Sequence, residues 1–397
     1  MDWMEKELEK LERASLERRL HVSAPMADNP GFTLSDGRKL LNLSSNDYLG
    51  LSQHSAIIES MRESLLAEGA AGSGASRLVT GNRASYGQLE EALAQWQNSE
   101  KALVFANGYM ANTGVISALV GRGDVVFNDQ FNHASIVDGI ILSRAEHARY
   151  RHNDMEHLRA LLHKHRDKRR KLIVTDAVFS MDGDQARLHE LVALKQEYDA
   201  MLMVDEAHSG GIYGVHGEGL CHTLGIEHEV DIHMGTFSKA FGLYGAYVSG
   251  SSLLIRWLLN KTRPLIYSTA LPSSIVTGIA KALELVQTEH WRREQLLGSS
   301  RYFRSSLVKA GFKVSEGDSA IVPLIIGDND TALRFSKALE SEGISAVAIR
   351  PPTVPDGTAR IRFSLSTAHT SKELTDAVSR ICSVGLRLGV LGSCNQS

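Results

Sequence analysis

Met201-Leu202-Met203-Val204-Asp205-Glu206-Ala207-His208 is an apolar run that closes on an acid, with a histidine three residues further on. An apolar run of this length ending in a carboxylate reads as a buried strand of a parallel sheet, because ligand crevices lie outside the carboxyl ends of such strands. A second run, over residues 233–236, closes on Thr236-Phe237-Ser238-Lys239 and leads into the glycine-bearing Phe241-Gly242-Leu243-Tyr244-Gly245. Lys239 lies 34 residues after Asp205. Working outward, apolar runs at 102–105, 125–128 and 171–176 alternate with helical patterns at 108–120, 154–165 and 188–199. That alternation predicts an α/β fold with a mainly parallel central sheet covered by helices.

The flanks read differently. Residues 3–20 form a charged helical pattern that ends before the turn-rich Ala24-Pro25-Met26-Ala27-Asp28-Asn29-Pro30-Gly31, which makes an arm rather than a domain. After a long helical region around 277–307 come a strand at 321–326, a helix at 331–342, strands at 344–349 and 359–365, and a last helix from Ser371. This is the pattern of a small α+β C-terminal domain. We therefore expect an N-terminal arm over 1–45, a large α/β domain over 46–285 and a small domain over 286–397, in keeping with about 150 residues per domain for a chain of 397.

Composition excludes several function classes. The chain is 43% hydrophobic and 22% charged with 34 Gly and 8 Pro, so it is neither disordered nor fibrous. Lys plus Arg total 43 against 46 Asp plus Glu, a formal charge of -3, so neither nucleic acid nor an anionic membrane is an expected partner. Cys221, Cys382 and Cys394 are too far apart in sequence to make a disulfide framework or a metal-ligand motif, and no metal is expected. With no signal peptide and no membrane-spanning run, the expected compartment is the cytoplasm. The basic run 163–171 reads as a solvated helix end.

Asp205 and Lys239 together suggest pyridoxal phosphate. Its chemistry needs an amine to hold the aldehyde, a carboxylate to keep the pyridine nitrogen protonated, and donors for the phosphate. A buried carboxylate stays ionised beside such a cation. Asn107-Gly108-Tyr109, between a strand and a helical pattern, offers a helix N-terminus for the phosphate. His133, in Asn132-His133-Ala134-Ser135, follows another strand end and suits stacking on a planar ring and proton exchange. The glycine-rich Gly69-Ala70-Ala71-Gly72-Ser73-Gly74-Ala75-Ser76-Arg77 lacks the Gly-Lys-Ser/Thr ending of a nucleotide-binding loop.

Five motifs in order, Ser44-Ser45-Asn46-Asp47-Tyr48-Leu49-Gly50-Leu51, Asn132-His133-Ala134-Ser135, Val178-Phe179-Ser180-Met181-Asp182-Gly183-Asp184, Asp205-Glu206-Ala207-His208 and Thr236-Phe237-Ser238-Lys239, resemble the α-oxoamine synthases. These are fold type I pyridoxal-phosphate transferases that join an amino acid to an acyl thioester with loss of carbon dioxide. The resemblance spans residues 40–370 and implies roles residue by residue. Lys239 would hold the cofactor and move the α-proton, Asp205 would pair with the ring nitrogen, and His133 would stack on the ring. His208 and Ser180 would lie near the phenolic oxygen. Gly108, Tyr109 and Thr236 would cradle the phosphate, and Ser268 and Thr269 would reach the phosphate of a neighbouring subunit, making a homodimer with shared sites. Asn46, Arg350, Thr353, His133 and Arg18 would meet substrate, with Arg19 an alternative to Arg18.

Within the family, Ile349-Arg350-Pro351-Pro352-Thr353-Val354-Pro355 and Gly357-Thr358-Ala359-Arg360-Ile361-Arg362 resemble the biotin-pathway members, which take L-alanine and a pimeloyl thioester of coenzyme A or acyl carrier protein. A sister condensation of glycine with a short acyl-coenzyme A would use the same residues. An aminotransferase would share Asp205 and Lys239. A cofactor-sensing regulator would need an added helix-turn-helix, for which the segment before Ser44 has only one helical stretch.

Overall fold

The computed structural model describes residues 2–14, 16–17, 20, 22–26 and 30–391. Its centre is a seven-stranded sheet of β1 (Lys101–Phe105), β2 (Val125–Asp129), β3 (Glu146–Tyr150), β4 (Lys171–Asp176), β5 (Met201–Asp205), β6 (Ile232–Thr236) and β7 (Ala246–Gly250), in the order β1-β7-β6-β5-β4-β2-β3. Only β7 runs against its neighbours. The central strands are apolar on both faces because helices cover both. The mainly parallel α/β sheet is the one expected.

Two strands of this sheet had no counterpart in the sequence pattern, nor did the short N-terminal strands Ser23–Pro25, Phe32–Leu34 and Lys39–Asn42. β3, Glu-His-Ala-Arg-Tyr, is an edge strand with three exposed residues and so lacks an apolar run. β7 is rich in small residues, and only its pairing between β1 and β6 makes it a strand. The opening helix covers Asp2–Arg13 and stops short of the expected Leu20. The region 277–307 is two helices, Ser273–Thr288 and His290–Lys309, broken at Glu289, whose backbone leaves the helical region.

Near the C-terminus, β8 (Ile321–Gly327), β9 (Val347–Ile349) and β10 (Ala359–Ser364) form an antiparallel sheet in the order β8-β10-β9. The single strand expected over 344–349 is split. Ile344–Ser345 pairs in parallel with Lys39–Asn42 of the N-terminal segment, and only Val347–Ile349 joins β10. The parallel register of β4, β5 and β6 sets Asp176 beside Asp205 and Asp205 beside Met234, so three strand ends open on one crevice. Among the described residues no helix is long and apolar enough to cross a membrane.

Candidate active site

Asp205 closes β5 and is buried. Its Oδ1 accepts the Ala207 N–H at 2.9 Å and its Oδ2 accepts the Asn112 amide at 2.7 Å. Asn112 lies on α1 (Gly108–Leu119) and also donates to Ser135 Oγ at 2.9 Å. The carboxylate is thus held at both oxygens, one by the turn that follows its own strand and the other by a helix from a distant part of the chain.

Lys239 follows β6 by a short loop and lies against Asp205 and Asp176. Burial brings its amine down to about 8, against the pull of those two carboxylates. About a tenth of the amine is then neutral at pH 7, far more than for an ordinary lysine, which favours a nucleophilic or proton-moving role. Burial pushes Asp176 well up, with the Asp205 charge adding to it, and Asp176 Oδ2 accepts the His133 N–H at 2.9 Å.

His133 caps α2 (Ala134–Ser143), with Nδ1 2.7 Å from Ser135 Oγ. Burial, reinforced by Lys239, lowers it, so its ring is neutral at pH 7. His208 is lowered further, by burial and then by Lys239 and Arg362. Its Nδ1 lies 2.7 Å from the Tyr48 hydroxyl, which also reaches Asn46 Oδ1 at 3.1 Å. Arg362 closes this group, donating from Nη2 to Asn46 Oδ1 at 3.1 Å, from Nε to the Ser180 carbonyl at 2.6 Å and from Nη1 to Ser364 Oγ at 2.9 Å. One guanidinium therefore joins three segments far apart in sequence.

Gly108 opens α1, and Asn107 caps it by accepting the Met110 N–H at 2.9 Å. A Cβ on Gly108 would lie 3.1 Å from Met234 Cε and 3.7 Å from Thr236 Cβ, so a bare backbone is what lets the helix start approach the end of β6. The first-turn N–H groups of a helix lack intrahelical acceptors and favour anions. A phosphate fits this cradle and an aldehyde fits the amine of Lys239. A protonated ring nitrogen fits the carboxylate of Asp205, so the residues present suit pyridoxal phosphate.

Beside His133 opens a cleft of about 660 Å³ lined by His133, Arg149, Arg151, Ser180, Met181 and Thr353. The fold thus gathers Asn46, His133, Ser180, Asp205, His208 and Lys239, with Gly108 and Thr236 alongside and Thr353 across the cleft. Arg350 lies in the same turn as Thr353, whose N–H donates to the Arg350 carbonyl at 3.1 Å. Tyr109 is exposed and its hydroxyl donates to Asp138. Thr269 is exposed, and Ser268 Oγ donates to the Pro264 carbonyl at 2.5 Å. Arg18 and Arg19 lie outside the described residues. Arg169, beyond the helix that ends at Lys164, is bound to the buried Asp124 through two hydrogen bonds of 2.9 and 3.0 Å.

Four participants went unassigned in the sequence: Asn112, Asp176, Tyr48 and Arg362. Asp176 carried the same signal as Asp205, an apolar run ending in an acid. His152 was a fifth. Its Nδ1 lies 3.0 Å from Asp129 and its Nε2 2.8 Å from Asp184, and its ring stacks on Phe131 at 4.4 Å, pinning the loop that carries Ser180.

The aminotransferase class I and II family model matches residues 38–381. A Bacillus cereus protein named "Putative 8-amino-7-oxononanoate synthase" is 50% identical over 379 residues, 95% of each chain. A serine palmitoyltransferase of S. paucimobilis, solved with a bound pyridoxal phosphate–myriocin aldimine, is 32% identical over 98% of each chain with a TM-score of 0.92. An 8-amino-7-oxononanoate synthase of Francisella tularensis is 28% identical over 87% of this chain and 97% of its own, with a TM-score of 0.76.

Proposed function

Since the chain belongs to the aminotransferase class I and II family, among its pyridoxal-phosphate-dependent α-oxoamine synthases, we propose that it condenses L-alanine with a pimeloyl thioester to give 8-amino-7-oxononanoate, carbon dioxide and a free thiol. The observation that carries this reading is the meeting of the Lys239 amine, held near 8, with the Asp205 carboxylate at adjacent strand ends. The name of the half-identical Bacillus cereus relative narrows the substrates.

When bound, pyridoxal phosphate supplies an electron sink for the bonds to the amino acid's Cα. Asp205, fixed by Ala207 and Asn112, would present its negative charge to the ring nitrogen and keep that sink protonated. The start of α1 at Gly108 and Tyr109, with Thr236, would hold the phosphate, and Ser268 and Thr269 of a second copy would complete that grip in a homodimer. His133, a neutral imidazole, would stack on the ring when it is bound. Lys239 Nζ, once free, takes the α-proton and later returns one, a role suited to an amine near 8 at neutral pH. His208 and Ser180 would face the phenolic oxygen. Asn46 and Arg350 grip carboxylate, with Thr353 at the cleft mouth and Arg18 from the N-terminal arm. Arg362 positions Asn46. Of the three proposed units, 1–45, 46–285 and 286–397, the second and third both supply residues to this crevice, and a cytoplasmic setting suits the thioester donor.

A sister condensation with another amino acid and acyl chain is the second reading, favoured by the higher TM-score of the serine palmitoyltransferase, 0.92 against 0.76. Thiol release separates the two readings. L-alanine with pimeloyl-coenzyme A should give steady release and 8-amino-7-oxononanoate by mass. Turnover only with glycine and acetyl-coenzyme A, or with serine and a long acyl donor, would overturn the substrate assignment and leave the cofactor chemistry standing.

A further inference from the structure

Immediately after Asp205, a second group of side chains gathers that the condensation does not use. Glu206, Cys221 and His233 are all buried, and their donor atoms lie within 4.8 Å of one another. They come from the end of β5, a short helix Leu220–Thr223 and strand β6. We infer that Glu206, Cys221 and His233 form a site for a thiophilic divalent cation, with Zn2+ the best fit and His222 lying beside it.

The tautomer of His233 carries the argument. Its Nε2 lies 2.8 Å from the Glu227 carbonyl, which only accepts, so Nε2 bears the hydrogen. The opposite nitrogen, Nδ1, then turns a lone pair toward Glu206 Oε2 at 3.4 Å. Two acceptors face each other unless a proton or a cation lies between them. A charge-assisted N–H···O bond draws its partners to about 2.7–2.9 Å, so 3.4 Å is loose for a proton. Two ligands each about 2.1 Å from a tetrahedral ion stand about 3.4 Å apart, which is this spacing.

The surroundings agree. A ring nitrogen donating to a backbone carbonyl is the usual outer contact of a ligating histidine. Glu206 Oε1 is held by the Cys221 N–H at 3.1 Å and by Ser209 Oγ at 3.2 Å, and the Cys221 thiol also bonds to this carboxylate through a proton that the ion would displace. The rings of His222 and His233 are 6.2 Å apart, and both His222 nitrogens are shielded from solvent without a hydrogen-bond partner. A thiolate, an imidazole and a carboxylate, with a fourth position left for water or for His222, make a donor set suited to zinc rather than to calcium or magnesium. A cleft of about 620 Å³ that reaches Glu227, His228 and His233 provides an entry path. An ion there would tie β5, β6 and the 220–223 helix together one residue from Asp205, anchoring the strand end that the cofactor side relies on.

The test uses tag-free, cofactor-loaded protein stripped with a chelator and titrated with Zn2+ by calorimetry. The unmodified chain and a Cys382→Ser control should take up one equivalent, and Cys221→Ser and His233→Gln should each bind at least about tenfold more weakly. Equal uptake by all four, or no uptake by the unmodified chain, overturns the site and leaves a proton between Glu206 and His233. Because a buried substitution can cost folding, Co2+ is also added to the unmodified chain. Intense visible bands of a four-coordinate ion, to the red of the cofactor's absorption, support the site, and their absence overturns it.

Discussion

Replacing His152 by Gln tests how the loop bearing Ser180 is held. His152 is about one-fifth exposed and bridges Asp129 and Asp184. Burial pushes its pKa down, but the hydrogen bonds and charges of the two carboxylates outweigh it and raise it from 6.5 to about 9. The sign follows from proton counts. Between pH 6.5 and about 9 the folded chain keeps a proton that the unfolded chain has lost, so stability falls with rising pH. The contribution is fully present below 6.5 and is lost as pH passes through about 9. At roughly 1.4 kcal/mol per pH unit, roughly 3 kcal/mol disappears across that window. A neutral imidazole has one N–H for two carboxylates, so one of them must then face a lone pair. Urea unfolding of the wild type and His152→Gln, both loaded with cofactor, measures the difference at steps from pH 6 to about 10. The advantage of the wild type should shrink by roughly 3 kcal/mol, and hydrogen exchange over 178–184 should quicken in the same range. A difference that stays constant with pH would refute the bridge.

Asp205→Asn should lower turnover by about a thousandfold, the worth of a charge some 4 Å away at an effective dielectric near 20. The fold should survive, because Asn112 Oδ1 has no partner and its amide can turn to accept from the new side chain; circular dichroism and thiol release check both halves. Lys239→Ala should cost between about a hundredfold and ten-thousandfold in turnover, the range for a removed general base, and a loss below tenfold in steady-state thiol release would count against its proton-moving role. Gly242→Ala places a Cβ 2.3 Å from Ser52 N at a φ of +68°. Overpacking and left-handed strain together should cost about 2–4 kcal/mol in urea unfolding and disturb the loop that carries Lys239.

Much of the site is readable because its chemistry sits at strand ends. An apolar run marks the strand, and the first polar residues after it fall at the crevice, which is why Asp205, His133 and Lys239 stand out in the sequence alone. Asp176 passes unnoticed although it ends its own run in the same way, since nothing local says that its strand pairs with the one ending at Asp205. Asn112 and Arg362 lack even that mark. The first is one polar residue inside a helix. The second meets Asn46 across 316 positions of sequence, a distance no periodicity spans.

The cysteines make the same point. Cys221 is solitary by spacing, and only the pairing of β5 with β6 sets His233 and Glu206 around it. Taken alone, the sequence determined the α/β architecture, because burial periodicity is a local consequence of a two-sided sheet, and the family, through its motifs; it also marked Asp205, Lys239 and His133 as the proposed cofactor residues. The order of the strands, the insertion of β7 against the others, the pinning of Ser180 by His152 and Arg362, and the gathering of Glu206, Cys221 and His233 were decided by the tertiary structure. Each depends on which distant segments share a sheet edge or a buried charge, and that is settled only when the chain closes on itself.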